Sequence, residues 1–215
     1  MRDRIAAAGR RAGHGQTVTI VAVTKTHGPD AVQAASDAGL GDVGENRVQE
    51  ALPKMDAVAV PVRWHLIGHL QRNKVKSLLR FHLLHSLDSA RLADAVNEVG
   101  IAAGRPIDAL MQVSVVGEET KGGFPRADWR READRWRTMT GIRVRGVMTM
   151  APFDADERTL RTVFSGARDA RDAVRAAGHD APELSMGMSN DYEIAVEEGA
   201  TCVRLGTILF GARSA

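Results

Sequence analysis

The chain has a single cysteine and few aromatic residues. Cys202 is the only cysteine among 215 residues, and aromatic side chains make up 4% of the sequence. One cysteine excludes an intrachain disulfide and a cysteine-rich metal site, which is typical of a reducing compartment, and we expect no metal. Because Cys202 lies in an apolar strand-like run, we expect it to be a small buried hydrophobe. Aliphatic and small side chains must therefore fill the core.

Long apolar runs and a strong excess of one charge are also missing. No stretch approaches the roughly 20 apolar residues of a membrane-spanning helix, and the charged segment 1–8 lacks the apolar centre of a signal peptide. The formal net charge is only +2, with Lys and Arg interleaved with Asp and Glu. No basic stripe for nucleic acid is predicted. These absences predict a cytoplasmic protein that binds neither membranes nor nucleic acid.

Strand-like and helix-like runs alternate along the chain. The run 20–23 is apolar and β-branched, which predicts a strand buried on both faces of a parallel sheet. Seven more strand-like runs follow, at 41–44, 63–68, 81–87, 107–116, 143–150, 183–188 and 201–205. Eight such units without a composition break favour an α/β fold, a single (β/α)₈ TIM barrel over residues 1–215. A doubly wound open sheet has the same alternation and is the alternative.

Helix-like segments separate these runs. An extra helix is predicted over 4–11, before the first strand, and Ser89 or Asp88 is placed to cap the helix after the fourth strand. Trp129 and Trp136 are seven residues apart in a helix-like stretch, so we interpret them as packing or interface residues. The other helices are predicted at 29–38, 46–55, from about 70, at 156–177, and after Ser189 as far as 199.

Lys25 is the first candidate functional residue, because it follows the first predicted strand. In a parallel barrel, the loops at the carboxyl ends of the strands build the functional site. Burial disfavours the charged form of a lysine, and a neutral amine can condense with a carbonyl. Lys25 is therefore a candidate Schiff-base lysine. The alternative is a solvated lysine at a strand end.

Loops rich in glycine and hydroxyl groups follow the seventh and eighth predicted strands, where barrels of this kind commonly bind phosphate. The first loop contains Gly187 and Ser189, and the second contains Gly206 and Thr207. A plain turn or a helix cap explains each loop alone, but two such loops on neighbouring strands predict a phosphate site. Asp191 argues against it, since a carboxylate competes with a bound anion for the same helix end.

A Schiff-base lysine and a phosphate site in one barrel suggest two classes of ligand. One is a phosphorylated sugar, as in a lysine-dependent aldolase. The other is pyridoxal 5′-phosphate (PLP), whose aldehyde and phosphate match both features.

Six sequence blocks resemble the motifs of the YggS/PROSC family, the PLP homeostasis proteins. The Gly-Glu-Asn block at 44–46, the Trp-His-x-Ile-Gly block at 64–68 and the Ser-Met-Gly-Met-Ser block at 185–189 are highly specific. His69 and Arg72, with His27-Gly28, depart from the commonest pattern, and none of them is a predicted cofactor contact. The six blocks run in family order and span nearly the whole chain, at 23–26, 44–50, 64–74, 118–123, 184–191 and 203–213.

The resemblance implies a barrel of the alanine-racemase N-terminal type that holds PLP. It implies that Lys25 forms an internal aldimine, that Asn46 lies near the cofactor ring, and that Arg204 lies beside the pyridine nitrogen. It further implies a phosphate cup formed by Ser189, Gly206 and Thr207 and lined by Ser185 and Met188.

The resemblance also implies storage, buffering or delivery of PLP without robust catalysis. A permanent cation at Arg204 opposes the protonation of the ring nitrogen that PLP enzymes exploit. The only tyrosine, Tyr192, is expected to pack or to contact the phosphate side of the site rather than to act as a general base. Racemases of the related fold take their tyrosine from an additional β domain. Of the remaining acid–base candidates, His65 is expected to be a satisfied core histidine, and Lys121 a solvated residue or a group that handles incoming cofactor. We therefore predict no catalytic residue.

Several alternatives stay open. A weak PLP-dependent amino-acid racemase is the enzymatic one, while the family blocks argue against a sugar-phosphate aldolase. An interaction module in which PLP is only structural belongs to a different class. The expected partners are PLP and PLP-dependent apoenzymes, and the expected oligomeric state is a monomer.

Overall fold

A computed structural model of the protein describes residues 1–117 and 122–211. Eight of its strands are parallel neighbours in the order β1-β2-β3-β4-β5-β7-β8-β9, and pairing of β9 with β1 closes the ring. Closure confirms the (β/α)₈ barrel and excludes the open doubly wound sheet. The strands are β1 (Thr19–Val23), β2 (Asp42–Glu45), β3 (Arg63–Leu66), β4 (Leu83–Leu87), β5 (Ile107–Ser114), β6 (Phe124–Pro125), β7 (Ile142–Met148), β8 (Glu183–Ser185) and β9 (Cys202–Leu205).

Helices surround the barrel. The extra amino-terminal helix predicted over 4–11 is confirmed as the first of them. Within the described residues, no helix is both long and apolar enough to cross a membrane. The α-helices are α1 (Arg2–Ala12), α2 (Pro29–Asp37), α3 (Val48–Ala57), α4 (Ala90–Ala102), α5 (Trp129–Trp136), α6 (Glu157–Ala176), α7 (Tyr192–Glu197) and α8 (Thr207–Phe210); the 3₁₀ helices are Arg72–Arg80 and Arg126–Asp128.

Alternate residues of each strand face two different environments. In β3, β8 and β9, residues such as Leu66, Leu184 and Val203 join the large apolar core between the strands and the helices. Because side chains alternate along a strand, the residues between them face the barrel interior. There the buried side chains include polar ones, among them His65, His85, Ser185 and Arg204. The barrel interior is therefore unusually polar for this fold.

The structure corrects several local predictions. The segment predicted as a helix from about residue 70 is a 3₁₀ helix, and the short strand β6, which pairs only with β5, was not predicted. Ser89 lies at the start of α4, but its side chain makes no capping hydrogen bond.

Two predictions about buried residues are confirmed. Trp129 and Trp136 are both buried, and the indole of Trp129 donates to the carbonyl of Phe124 over 2.8 Å. Cys202 is buried, and burial raises the pKa of its thiol to about 12. A thiol that stays protonated acts as a small hydrophobe.

Candidate functional site

A cavity of about 750 Å³ opens at the carboxyl ends of the barrel strands. This volume is typical of small-molecule sites, and its position is where barrels of this class build them. Seven of the eight residues predicted to contact the ligand line it: Lys25, Asn46, Met188, Ser189, Arg204, Gly206 and Thr207. The eighth, Ser185, is fully buried and is not among the lining residues; its hydroxyl instead contacts Arg204.

Lys25 lies half-buried in a tight turn that follows β1. The turn is closed by a hydrogen bond of 3.1 Å from the backbone N–H of His27 to the carbonyl of Thr24. Next to Lys25, Thr26 has a φ of 66°, and among the described residues it is the one non-glycine in the left-handed region. A β-branched residue adopts this conformation only where its surroundings impose it. The backbone that presents Lys25 is therefore held in one conformation.

A buried ion pair beside this turn was not predicted from the sequence. Lys54, from α3, donates to the Glu45 carboxylate over 2.7 Å and to the carbonyl of Thr24 over 2.8 Å. The hydroxyl of Thr24 also donates to Glu45, over 2.6 Å. Lys54 and Glu45 are both buried, so the pair replaces the water that each charge loses. It anchors the residue that precedes Lys25.

Asn46 follows β2 and is held against the loop after β3. A Cβ atom added to Gly68 would lie 2.4 Å from the backbone oxygen of Asn46, closer than real Cβ atoms approach. Only glycine therefore allows these two loops to approach each other. The Gly-Glu-Asn and Trp-His-x-Ile-Gly blocks thus meet at one edge of the cavity.

Ser189 contacts the loop after β9 and does not cap the helix after β8. Its hydroxyl oxygen accepts long hydrogen bonds from the backbone N–H groups of Gly206, at 3.4 Å, and Ile208, at 3.3 Å. The predicted cap is wrong, because α7 begins at Tyr192 with Asp191 in the N-cap position. An oxygen atom already lies where these two N–H groups converge, so the geometry suits an oxygen of a phosphate.

The carboxylate of Asp191 accepts a hydrogen bond of 2.5 Å from the backbone N–H of Met188. This contact ties the acidic group to its own loop. The competition with an anion expected from the sequence is therefore reduced.

Arg204 is a buried cation that lines the inner part of the cavity. Its guanidinium donates to the hydroxyl of Ser185 over 2.6 Å and to the carbonyl of Thr149 over 2.9 Å. Burial lowers the pKa of Arg204, but an arginine starts so far above neutrality that it remains charged. These two hydrogen-bond partners are neutral, while the carboxylate of Asp191, which also lines the cavity, interacts electrostatically with the positive charge of Arg204.

His69 and Asp88 form a second polar pair at the cavity wall. The Nδ1 atom of His69 lies 2.8 Å from a carboxylate oxygen of Asp88, and both residues line the cavity. His69 was not predicted to contact the cofactor, and the structure places it in the wall of the same cavity. The sequence does contain a signal for this pair, because Asp88 directly follows the carboxyl end of β4.

The other acid–base candidates lie away from the cavity or outside the described residues. Tyr192 is buried and donates to Glu193 over 3.2 Å, and burial raises the pKa of its phenol. His65 is buried, with both ring nitrogens hydrogen-bonded. The packing interpretation of Tyr192 and the core interpretation of His65 are confirmed. Lys121 lies outside the described residues.

A family profile and a named relative match nearly the whole chain. The profile of the alanine racemase N-terminal domain family matches residues 1–214. Over 215 residues, the chain is 40% identical to a protein of Aquifex aeolicus named pyridoxal phosphate homeostasis protein, covering 98% of this chain and 94% of that protein.

Two solved structures share the fold over nearly the whole chain. PipY of Synechococcus elongatus, solved with PLP bound, is 34% identical, with a TM-score of 0.85 over 96% of this chain and 100% of that one. The crystal structure of an unknown protein from Bifidobacterium adolescentis is 38% identical, with a TM-score of 0.90 over 97% of this chain and 90% of the other.

Proposed function

Because the chain belongs to the alanine racemase N-terminal domain family, and within it to the YggS/PROSC family of pyridoxal phosphate homeostasis proteins, we propose that it binds PLP and acts in PLP homeostasis. The observation that carries this proposal is one cavity of about 750 Å³ lined by an amine, a buried cation and a cluster of N–H and hydroxyl donors. These groups match the aldehyde, the ring nitrogen and the phosphate of PLP.

Each end of the ligand has its own binding group in this proposal. The amine of Lys25 adds to the aldehyde carbon, water leaves, and an aldimine joins protein and ligand; hydrolysis reverses the reaction. Ser189, Thr207 and the backbone N–H of Gly206 bind the phosphate. Reversible condensation provides storage, and the phosphate contacts provide the affinity that remains when the covalent bond opens.

Arg204 favours storage over turnover. PLP stabilises a substrate carbanion when its ring nitrogen is protonated, and a neighbouring carboxylate promotes that protonation. A buried guanidinium disfavours a second positive charge beside it. We therefore propose that PLP bound here stabilises a substrate carbanion poorly, and that the protein buffers PLP or delivers it to PLP-dependent apoenzymes.

One observation favours a second candidate, a weak amino-acid racemase. The pair of His69 and Asp88 lines the same cavity as Lys25. A carboxylate that holds Nδ1 of a histidine leaves Nε2 to exchange protons, as in many hydrolases. Lys25 and His69 would then serve as the two proton-transfer groups that racemisation requires.

Titration of the protein with PLP, followed by visible absorbance, tests the binding proposal. We expect wild type to turn yellow with one equivalent of PLP. Lys25→Ala should stay colourless while still competing for PLP through the phosphate contacts. Lys76→Ala, which removes an exposed lysine, is the matched control and should behave like wild type. A yellow Lys25→Ala protein would contradict the proposal.

Two further assays separate storage from the alternatives. In the storage account, the loaded protein reactivates an apo form of a PLP-dependent enzyme, and no interconversion of L- and D-alanine is measured. A racemase activity that His69→Asn abolishes would establish the enzyme instead. Loaded protein that neither racemises nor releases its ligand to the apoenzyme would favour the interaction module.

A further inference from the structure

A continuous chain of buried hydrogen bonds runs from the cavity through the barrel interior. It starts at Arg204, whose guanidinium donates to the Ser185 hydroxyl over 2.6 Å. That hydroxyl lies 2.8 Å from Nδ1 of His85, and Nε2 of His85 lies 2.9 Å from Nδ1 of His65. The chain ends where Nε2 of His65 lies 2.9 Å from a carboxylate oxygen of Asp42. All five side chains are buried.

The groups at the two ends of this hydrogen-bond chain determine which atom donates and which accepts at each step. A guanidinium only donates, so Ser185 accepts from Arg204 and directs its own proton to Nδ1 of His85. His85 then carries its proton on Nε2 and donates to His65. A carboxylate only accepts, so at the far end His65 donates from Nε2 to Asp42. With both imidazoles neutral, the assignments made from the two ends agree.

The charge states fit this direction. Burial holds the pKa of His85 well below its usual value of 6.5, and the charge of Arg204 lowers it further. His85 is therefore neutral and keeps one proton, as the chain requires. Burial opposes ionisation of Asp42, yet hydrogen bonds from His65 and Arg63 lower its pKa to about 2. Asp42 therefore accepts as a carboxylate at neutral pH.

The fold itself does not require these polar residues. The interior of a (β/α)₈ barrel is normally filled by branched apolar side chains, and a buried polar network is costly unless every member is satisfied. Among the described residues, no group of three or more His, Cys, Asp or Glu is arranged to hold a metal ion. The hydrogen-bond chain instead contacts Arg204, a buried cation in the cavity wall.

We infer that His85 and His65 are positioning residues that act through Ser185 to fix the guanidinium of Arg204 toward the ring nitrogen of the ligand. The Ser185 contact and the Thr149 carbonyl hold two nitrogens of the guanidinium, so its plane is set before a ligand arrives. Asp42, at the far end of the hydrogen-bond chain, is itself paired with Arg63 over 2.6 Å, and the carboxylate of Asp191, which lines the same cavity, interacts electrostatically with Arg204. The two hydrogen-bond partners that set the guanidinium plane are neutral. The ring-nitrogen part of this inference rests on the proposed function.

Nitrogen-15 NMR of the ligand-free protein tests the direction of the chain. We expect His85 and His65 both to be neutral and protonated on Nε2, which long-range proton–nitrogen correlations identify. A proton on Nδ1 of either ring, or a charged imidazole at neutral pH, would overturn the inference. This measurement uses wild-type protein without PLP, so it is independent of the proposed function.

A comparison of PLP with its 1-deaza analogue, which lacks the ring nitrogen, tests the role of the chain. We expect wild type to prefer PLP by about tenfold, the worth of one charge-assisted hydrogen bond. Ser185→Ala and His85→Phe should each reduce the preference to about twofold or less, whereas Ser185→Thr keeps the hydroxyl and should retain it.

A general loss of stability would weaken the binding of both ligands equally and leave the ratio of the two affinities unchanged. An unchanged ratio in Ser185→Ala and His85→Phe would therefore overturn the inference. Binding of neither ligand by wild type would instead contradict the proposed function.

Discussion

Lys54 and Glu45 form a buried ion pair of 2.7 Å beside the turn that carries Lys25. The second carboxylate oxygen of Glu45 is buried and accepts no hydrogen bond from the described residues, so Lys54 is the cation that balances this carboxylate. The same lysine also binds the carbonyl of Thr24. Stability and the presentation of Lys25 are therefore linked through one side chain.

Lys54→Met should be strongly destabilising, because it leaves the Glu45 carboxylate buried without its cation. We expect the free energy of unfolding to fall by about 3 to 5 kcal/mol, measured by urea denaturation. The double variant Glu45→Gln, Lys54→Met removes both charges and should recover at least half of the loss. A single variant as stable as wild type would refute the structural role of the pair.

Gly68→Ala should separate the loops after β2 and β3, because its Cβ would lie 2.4 Å from the Asn46 carbonyl oxygen. We expect a loss of about 1 to 3 kcal/mol in unfolding free energy, together with weaker PLP binding. Gly41→Ala is the matched control, since a Cβ there meets nothing within 4 Å and its φ lies outside the positive range. Equal effects of the two substitutions would show that the close approach at Asn46 is unimportant.

Asp42 should make stability depend on pH in the acid range. Burial raises the pKa of Asp42, but the hydrogen bonds from His65 and Arg63 and the charge of Arg63 outweigh that effect and lower it from 3.8 to about 2. A carboxylate whose folded-state pKa is depressed stabilises the protein above its unfolded pKa. That contribution is lost as the pH falls through the folded value.

The corresponding measurement is urea denaturation at about pH 5 and about pH 2. Between these values, wild type should lose about 2 kcal/mol more than Asp42→Asn, which cannot titrate. If both proteins lose the same unfolding free energy between these two pH values, the partners of Asp42 do not lower its pKa.

Ser189→Ala should weaken binding of PLP more than binding of pyridoxal, which lacks the phosphate. The hydroxyl lies where the N–H groups of Gly206 and Ile208 converge. Loss of one hydrogen bond to a charged group predicts about a tenfold weaker affinity for PLP. Ser165→Ala, which alters a hydroxyl on α6, is the control and should leave both affinities unchanged. An equal loss for both ligands would place Ser189 outside the phosphate site.

The barrel and several of the residues that line the cavity, among them Lys25, Ser189 and Thr207, were predictable because they follow from local patterns. Buried strands alternate with amphipathic segments, and the carboxyl ends of parallel strands meet at one face. This rule brings Lys25 and Arg204, which lie near opposite ends of the sequence, to one cavity. The three specific sequence blocks carried the family assignment.

Other features depend on pairings that no local pattern encodes. From the sequence alone, Lys54 is expected to be a surface residue of α3, because no local pattern indicates its ion pair with Glu45. Ser189 matches the pattern of a helix cap, but tertiary contacts direct its hydroxyl to the neighbouring loop. His69 lies in the cavity wall, where its ring nitrogen contacts Asp88, the residue that follows the next strand, β4.

Borohydride reduction of the protein loaded with PLP, followed by peptide mapping, tests the central claim most directly. Reduction converts a reversible aldimine into a stable secondary amine, so the modified lysine is identified by its peptide. The account predicts one equivalent of pyridoxyl label on the Lys25 peptide and none on the peptide of Lys76. Label scattered over exposed lysines, or no label on Lys25, would contradict it.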